Sequence, residues 1–183
     1  MLKTLANVGY LTKRMLIDNL NIADRRITNF QRDNYIEKCS VVNKKSKTVT
    51  YAYRLTEKGH KYAREQLNIN YFYRSSSAAH DITLAKTYFA LNAEEQGTWK
   101  TENQLRDQFL ESLEKMRDRD SEHYEQLYAK WEEREISTVD ALYTTEEGAE
   151  IGLEIVTDSY GNAEIEAKEE FCSVMDLEPN FEK

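Results

Sequence analysis

The hydrophobic positions near the start of the chain predict two short helices separated by a tight turn. The first helix follows Thr12, a capping residue, and its hydrophobic positions recur at helical spacing: Leu11, Met15, Leu16 and Leu20. A second helix is predicted from Ala23 to Asp33, with Ile27 and Phe30 on its inner face. Two short helices joined in this way are typical of a helix-turn-helix motif, whose second helix enters the major groove of DNA.

The next segments change to the alternating pattern of strands. Tyr35–Cys39 and Val49–Leu55 are rich in strand-forming residues, and the polar loop between them carries three lysines. Thr56 then caps a further helix, and Leu55-Thr56-x-x-Gly59 is a signature frequent after the second strand of a winged-helix hairpin. The order of these elements resembles that of winged-helix domains, with the lysine-rich loop as the wing.

The rest of the chain predicts a second, mixed domain. Helices are expected over 78–91, over a long stretch from Asn103 with apolar stripes between Leu105 and Trp131, and over 163–175. Strands are expected over 98–102, 136–143 and 151–157, and Gly97 is expected to end the segment that holds the first of these helices. No closing strand is evident after Met175, and Pro179 is expected to constrain nothing.

These patterns predict an α+β protein of two domains. Residues 1–70 form a winged helix-turn-helix domain, 71–77 a connector, and 78–183 a small α/β domain of helices and a short sheet. A chain of 183 residues is long enough for two such cores.

Charge separates the same two parts of the chain. Residues 1–80 carry 15 Lys and Arg against 6 Asp and Glu, a net charge of +9, whereas residues 81–183 carry a net charge of -17. A basic domain suits a polyanion and an acidic one would repel it, so the two domains are expected to have different partners.

Double-stranded DNA is the partner expected for the basic domain. Arginine and asparagine side chains on the second helix offer donors to base edges and phosphates, and the loop lysines neutralise the backbone. The DNA-binding residues predicted on these grounds are Arg25, Arg26, Thr28, Asn29, Arg32, Lys44, Lys45 and Lys47. Because one recognition helix reads few base pairs, we expect a homodimer, and the acidic domain offers a surface for a protein partner.

Other classes of protein lack support in the sequence. No apolar run is long enough to cross a membrane, and no signal peptide is evident at the start of the chain. Neither Cys39 nor Cys172 lies in a metal-binding spacing, and no phosphate-binding loop or other cofactor motif is present. We therefore expect a cytoplasmic protein without a metal or cofactor.

Several short motifs resemble the replication-relaxation family of plasmids, phages and other mobile elements. They are Ala79-His80-Asp81-x-x-Leu84-Ala85, Trp99-x-x-Glu102, Val139-Asp140-Ala141 and Gly152-Leu153-Glu154-Ile155-Val156. The resemblance would cover most of the chain. It implies an N-terminal winged helix and a role in replication, relaxation or mobilisation of a mobile element, or in control of its genes.

A nuclease site is a further hypothesis for the acidic domain. Asp140 and Glu154 on neighbouring strands resemble the paired carboxylates of PD-(D/E)xK nucleases, which hold Mg²⁺ against a phosphate. Val156 stands where that pattern has its lysine, and Lys168 on the next helix is the substitute. His80 and Asp81 are further candidates from the preceding helix, although acidic residues are so frequent here that chance also explains such a pair.

Four functions therefore remain open at this point. The leading hypothesis is a non-enzymatic DNA-binding protein of a mobile element, whose acidic domain is a nuclease-like scaffold without catalysis. The others are an ordinary transcriptional repressor, a Mg²⁺-dependent nuclease using Asp140, Glu154 and Lys168, and an acidic inhibitor that mimics DNA and occupies a host enzyme.

Overall fold

A computed structural model describes residues 1–42, 49–74 and 77–183. The chain divides into two compact units, which we call unit 1 (Met1–Asn92) and unit 2 (Ala93–Lys183). Both units combine helices with a small sheet, so the predicted α+β class is confirmed.

Unit 1 contains five helices and three strands within its described residues. In chain order they are α1 (Leu2–Val8), β1 (Leu11–Thr12), α2 (Lys13–Asp18), α3 (Asp24–Arg32), β2 (Ile36–Val42), β3 (Val49–Leu55), α4 (Glu57–Leu67) and α5 (Ala78–Ala90). The strands form an antiparallel sheet in the order β1-β3-β2, in which Ile36 pairs with Leu55 and Val42 with Val49.

Local sequence explains where these helices begin. Thr12 caps α2 by accepting a 3.2 Å hydrogen bond from the Met15 backbone, and Thr56 caps α4 through a 3.1 Å bond from the Gly59 backbone. Inside, the core is aliphatic, with large side chains that are almost wholly buried on α1, β1, α2, α3, β2 and α5: Leu5, Leu11, Leu16, Ile27, Ile36 and Leu84. Two short helices, α2 and α3, are therefore present near the predicted positions, and Ile27 faces inward as expected, whereas Phe30 is partly exposed.

The division between the units lies fifteen residues later than the sequence pattern suggested. Helix α5, which we assigned to the acidic domain, packs against α1 and the first strand of unit 1. Its inner face buries Leu84, Ala85 and Tyr88 there. Helix α1 was not predicted at all, and it supplies much of the surface that α5 covers.

Unit 2 contains four helices and four strands. In chain order they are α6 (Ala93–Thr98), β4 (Lys100–Thr101), α7 (Glu102–Arg117), α8 (Ser121–Glu132), β5 (Ala141–Thr144), β6 (Glu150–Ile155), α9 (Asn162–Val174) and β7 (Glu178–Glu182). The sheet has the order β4-β5-β6-β7, with the last pair parallel and the others antiparallel.

The core of unit 2 lies between this sheet and its helices. The apolar stripes predicted between residues 105 and 131 pack inside the unit, since Leu105, Phe109 and Leu113 of α7 and Leu127 of α8 belong to its buried cluster. Cys172 joins that cluster from α9, as the sequence suggested. Burial raises the pKa of the Cys172 thiol to about 11, which keeps it protonated near neutral pH.

Three predictions for unit 2 were wrong. The strand expected over 136–143 is confined to its end, because residues 136–140 enter the core without strand pairing. Gly97 lies inside α6 rather than ending a segment. A closing strand does exist after α9: it is β7, and Pro179 lies within it at the edge of the sheet, a position where a missing N–H is tolerated. Among the described residues, no helix has both the length and the apolar character needed to cross a membrane.

Candidate functional site

The outer face of α3 presents most of the residues predicted to contact DNA. Arg25, Arg26, Thr28 and Arg32 are exposed and Asn29 is partly exposed, while Ile27 turns into the core. The period of the helix therefore places Arg25, Asn29 and Arg32 opposite Ile27, with Arg26 and Thr28 on the two flanks.

Some of these side chains already contact neighbouring residues, and others are free to contact a ligand. Arg32 forms a 3.0 Å ion pair with Asp33, and the Arg26 guanidinium lies 5.8 Å from the centre of the Phe30 ring. Arg25 has no ion-pair partner in the described parts of the chain. Arg25 is thus the cation of α3 that meets a polyanion without first giving up an existing contact.

The hairpin of β2 and β3 contributes a second surface. Lys44, Lys45 and Lys47, predicted to lie at its tip, fall outside the described residues. On the strands themselves, Lys38 lies over the ring of Tyr51 at 3.7 Å from its centre, and Tyr51 is 52% exposed. A cation held over an exposed aromatic ring makes this face of the hairpin both basic and apolar.

Charge follows the observed division of the chain as closely as the predicted one. Unit 1 contains 16 Lys and Arg against 7 Asp and Glu, a net charge of +9, and unit 2 carries the remaining -17. The helix α5, now part of unit 1, changes neither value because Lys86 and Asp81 cancel.

The carboxylates proposed for a nuclease site do lie together in unit 2. The Asp140 backbone N–H donates to Glu154 Oε2 at 3.0 Å, and the Ile155 backbone N–H donates to Asp140 Oδ2 at 2.8 Å. Each carboxylate thus accepts a hydrogen bond from the backbone of the other segment, and the two bonds join the start of β5 to the end of β6. Both side chains are buried, with residue exposures of 6% for Asp140 and 1% for Glu154.

Two further side chains complete the shell around Glu154. The Lys168 ammonium lies 3.1 Å from Glu154 Oε2 and also donates to the Thr138 carbonyl oxygen at 2.5 Å. The Tyr160 hydroxyl donates to Glu154 Oε1 at 2.6 Å. Lys168 therefore reaches the carboxylates from the following helix as predicted, and Tyr160 was not anticipated.

Glu102 is a third carboxylate near this cluster, and it is not among the catalytic candidates predicted from the sequence. It begins α7, accepts a 3.4 Å hydrogen bond from the Thr138 hydroxyl, and its backbone N–H donates to the Asp140 carbonyl oxygen at 3.0 Å. Burial raises the pKa of Glu102, with a further contribution from Asp140, while Lys168 opposes the rise. Glu102 is part of the motif Trp99-x-x-Glu102, which could have drawn attention to it. The spacing along the chain does not indicate that α7 begins beside β5.

The electrostatics of the cluster allow Glu154 to exchange a proton near neutral pH. Burial, and then the charge of Asp140, raise the pKa of Glu154 to about 7 despite the opposing effects of Lys168 and Tyr160. Burial, and then the hydrogen bond to Glu154, raise the pKa of Tyr160, so the Tyr160 hydroxyl keeps its proton. One carboxyl group that exchanges a proton near neutral pH is therefore enclosed by partners that hold it in place.

The bonds in this cluster are those of a structural network. Both oxygens of Glu154 have partners, and within residues 1–42, 49–74 and 77–183 no group of three or more His, Cys, Asp or Glu side chains is arranged to hold a metal ion. The other nuclease candidates, His80 and Asp81, belong to unit 1, where His80 contacts Tyr73. The cluster ties together β5, β6, α9 and the start of α7.

Comparison of the chain with protein-family models, curated proteins and solved structures finds no match.

Proposed function

We propose that unit 1 is a winged-helix domain that binds double-stranded DNA by placing α3 in the major groove. The order of its first six elements supports this assignment: α1, β1, α2, α3, β2 and β3, with a three-stranded antiparallel sheet in the order β1-β3-β2. In this arrangement α2 and α3 form the helix-turn-helix and the β2–β3 hairpin is the wing.

The single observation that carries the proposal is the outer face of α3. A helix with Arg25, Asn29 and Arg32 on its outer side, and with Arg26 and Thr28 on its two flanks, fits the major groove, where arginine reads guanine and amides read adenine. Ile27 is the buried residue of α3, so the exposed polar side chains of this helix do not contribute to the core.

The charge of unit 1 supports the same partner. A net charge of +9 on unit 1 attracts the phosphates of DNA, and the lysines of segment 43–48 would add contacts to the backbone. Phosphate contacts of this kind supply affinity, whereas the side chains of α3 supply sequence preference.

Unit 2 has the opposite role in this proposal. Its net charge of -17 opposes contact with DNA, so it serves as a surface for a protein, either a second copy of the chain or another partner. A homodimer would double the length of the DNA site. The resemblance to replication-relaxation proteins suggests a setting in the replication, relaxation, mobilisation or gene control of a mobile element.

Fluorescence anisotropy with a labelled duplex of mixed sequence tests the DNA-binding claim. We expect the full chain to bind, with an affinity that falls by orders of magnitude between about 50 and about 200 mM salt if it makes several phosphate contacts. The double variant Arg25→Ala/Asn29→Ala should bind much more weakly, because it loses two donors from the face of α3.

Arg64→Ala is the matched control for charge. Arg64 lies on α4, where it faces the Phe72 ring, so this variant loses one positive charge without altering α3. We expect a small effect from this variant. Equal losses from Arg64→Ala and from Arg25→Ala alone would mean that charge matters and the α3 face does not, and absence of binding at low salt would contradict the proposal.

A further inference from the structure

A run of three aromatic rings crosses from α3 to α4 on unit 1. The rings of Phe30 and Tyr35 are 6.0 Å apart between centres, and those of Tyr35 and Tyr62 are 5.0 Å apart. Tyr62 is 37% exposed and the other two are partly exposed, so all three lie outside the aliphatic core. We call these three residues the aromatic strip.

Cations lie over two of the three rings of the strip. The Arg26 guanidinium lies 5.8 Å from the centre of the Phe30 ring, and the Lys58 ammonium lies 4.7 Å from the centre of the Tyr35 ring. Lys58 is fixed there by donating to the Asp33 carbonyl oxygen at 2.9 Å. Aromatic rings and positive charges therefore alternate over a distance of a few side chains.

This alternation matches the chemistry of one class of ligand. Single-stranded nucleic acid presents bases, which stack on aromatic rings, and phosphates, which attract cations. Duplex DNA hides the faces of its bases and offers nothing for the strip to stack on. The strip also begins on α3, the helix whose outer face is proposed above to contact the duplex.

We propose that the aromatic strip binds a single-stranded segment of DNA that continues from the duplex held by α3. A base stacks on the exposed ring of Tyr62. Arg26 and Lys58, which lie over the rings of Phe30 and Tyr35, contact the adjoining phosphates. The inference rests on the proposed function of unit 1, and it names the substrate as a junction between double-stranded and single-stranded DNA.

The test compares a blunt duplex with the same duplex bearing a short single-stranded thymine tail, using fluorescence anisotropy and the full chain. Loss of one stacked base weakens binding by about tenfold or more, so we expect the wild-type protein to prefer the tailed probe by about that factor. Tyr62→Ala should abolish this preference while leaving binding to the blunt duplex unchanged. Retained binding to the blunt duplex also shows that the variant is folded.

Two variants separate stacking from other effects of the substitution. Tyr62→Phe keeps the ring and should keep the preference for the tail. Tyr71→Ala removes a tyrosine of the same 37% exposure elsewhere in unit 1 and should also keep it.

Each contrary outcome has a distinct meaning. If the wild type binds neither probe, the proposed function of unit 1 is wrong. If it binds both probes equally, or if Tyr62→Ala keeps the preference, the strip does not bind single strands although unit 1 still binds the duplex. Loss of binding to the blunt duplex in a folded Tyr62→Ala variant, shown by an unchanged circular dichroism spectrum, would also overturn the inference.

Discussion

At the scale of single residues, the glycine of the Leu55–Gly59 signature is explained by a contact that the sequence does not reveal. The spacing from Leu55 to Gly59 was noticed as typical of a winged-helix hairpin, but the reason is a contact across the fold. A Cβ atom at position 59 would overlap the Tyr35 carbonyl oxygen, which accepts a 3.1 Å hydrogen bond from the Thr56 backbone. Only glycine allows α4 to begin so close to the entry of β2.

Gly59→Ala is therefore expected to destabilise unit 1 by about 1–3 kcal/mol, the usual cost of forcing an extra methyl group into a packed site. Gly97→Ala is the matched control, because a Cβ there meets nothing within 4 Å and the residue lies inside a helix. The control should be neutral or stabilising by about 0.5–1 kcal/mol. Urea unfolding of both variants measures the difference, and equal stabilities would show that Tyr35 is not in the way.

Glu154 gives a prediction about pH at the same scale. Its pKa is raised from 4.5 to about 7, so the folded protein binds a proton that the unfolded chain has already lost across this interval. Stability from this group is thus complete below pH 4.5 and falls as the pH rises through 7. The upper limit of the loss is about 3 kcal/mol, since one unit of pKa corresponds to about 1.4 kcal/mol.

Glu154→Gln imitates the neutral carboxyl group and should remove this part of the pH dependence. The free energy of unfolding of the wild type and the variant, measured by urea titration at several pH values between about 4.5 and 8, reports the effect. Glu125→Gln on the exposed face of α8 is the control and should keep the wild-type slope. A variant at position 154 with the same slope as the wild type would contradict the assignment.

At the scale of elements, the sequence predicted most reliably where the pattern is local. The caps at Thr12 and Thr56, the inward Ile27 and the alternation of β2 all follow from neighbouring residues, and the structure has each of them. The burial of β3 does not alternate. Helix α1 was missed because only seven residues form it. Its residues are buried by α4 and α5, which lie much later in the chain.

The strand β7 was missed for a different reason. Its sequence, Glu-Pro-Asn-Phe-Glu, lacks a run of strand-forming residues, and β7 forms because β6 offers a parallel partner. The candidate cluster shows the same limit. The sequence could indicate that Asp140 and Glu154 lie on adjacent strands, but the approach of Tyr160 and Glu102 depends on how the chain turns after each strand.

Removal of β7 is expected to destabilise unit 2 selectively. A chain that ends after Leu177 loses the pairing of residues 178–182 with β6, including the 2.6 Å hydrogen bond from the Val156 backbone to the Glu182 carbonyl oxygen. It exposes the strand that carries Glu154. Hydrogen exchange should show lost protection in β5 and β6, and unchanged protection there would mean that β7 contributes little.

A chain lacking Lys183 alone is the control for this truncation. It keeps β7 complete and changes only the terminal charge. Protection in unit 2 should match that of the full chain.

At the scale of the whole molecule, the separation of charge is the dominant property. Unit 1 at +9 and unit 2 at -17 share one chain, so any DNA near unit 1 also experiences the field of unit 2. The sequence predicted this separation fully, because charge counts do not depend on the fold. The boundary was predicted less well, since the contacts of α5 with α1 are not visible in its own pattern.

A fragment of residues 1–92 should therefore bind DNA at least as tightly as the full chain at low salt. The difference is expected to shrink as salt increases, because screening shortens the range of the repulsion from unit 2. Anisotropy measurements on both proteins over a range of salt test this. A fragment that is folded but binds more weakly than the full chain would show that unit 2 contributes to the DNA contact.

We infer that the outer face of α3 contacts the DNA, and NMR chemical-shift mapping tests this contact residue by residue. Duplex DNA is added to the isotopically labelled full chain, and the backbone amide shifts are followed residue by residue. We predict that the largest changes fall on residues 24–32 and on strands β2 and β3, with little change in residues 93–183. Changes concentrated in unit 2, or no changes at low salt, would contradict it.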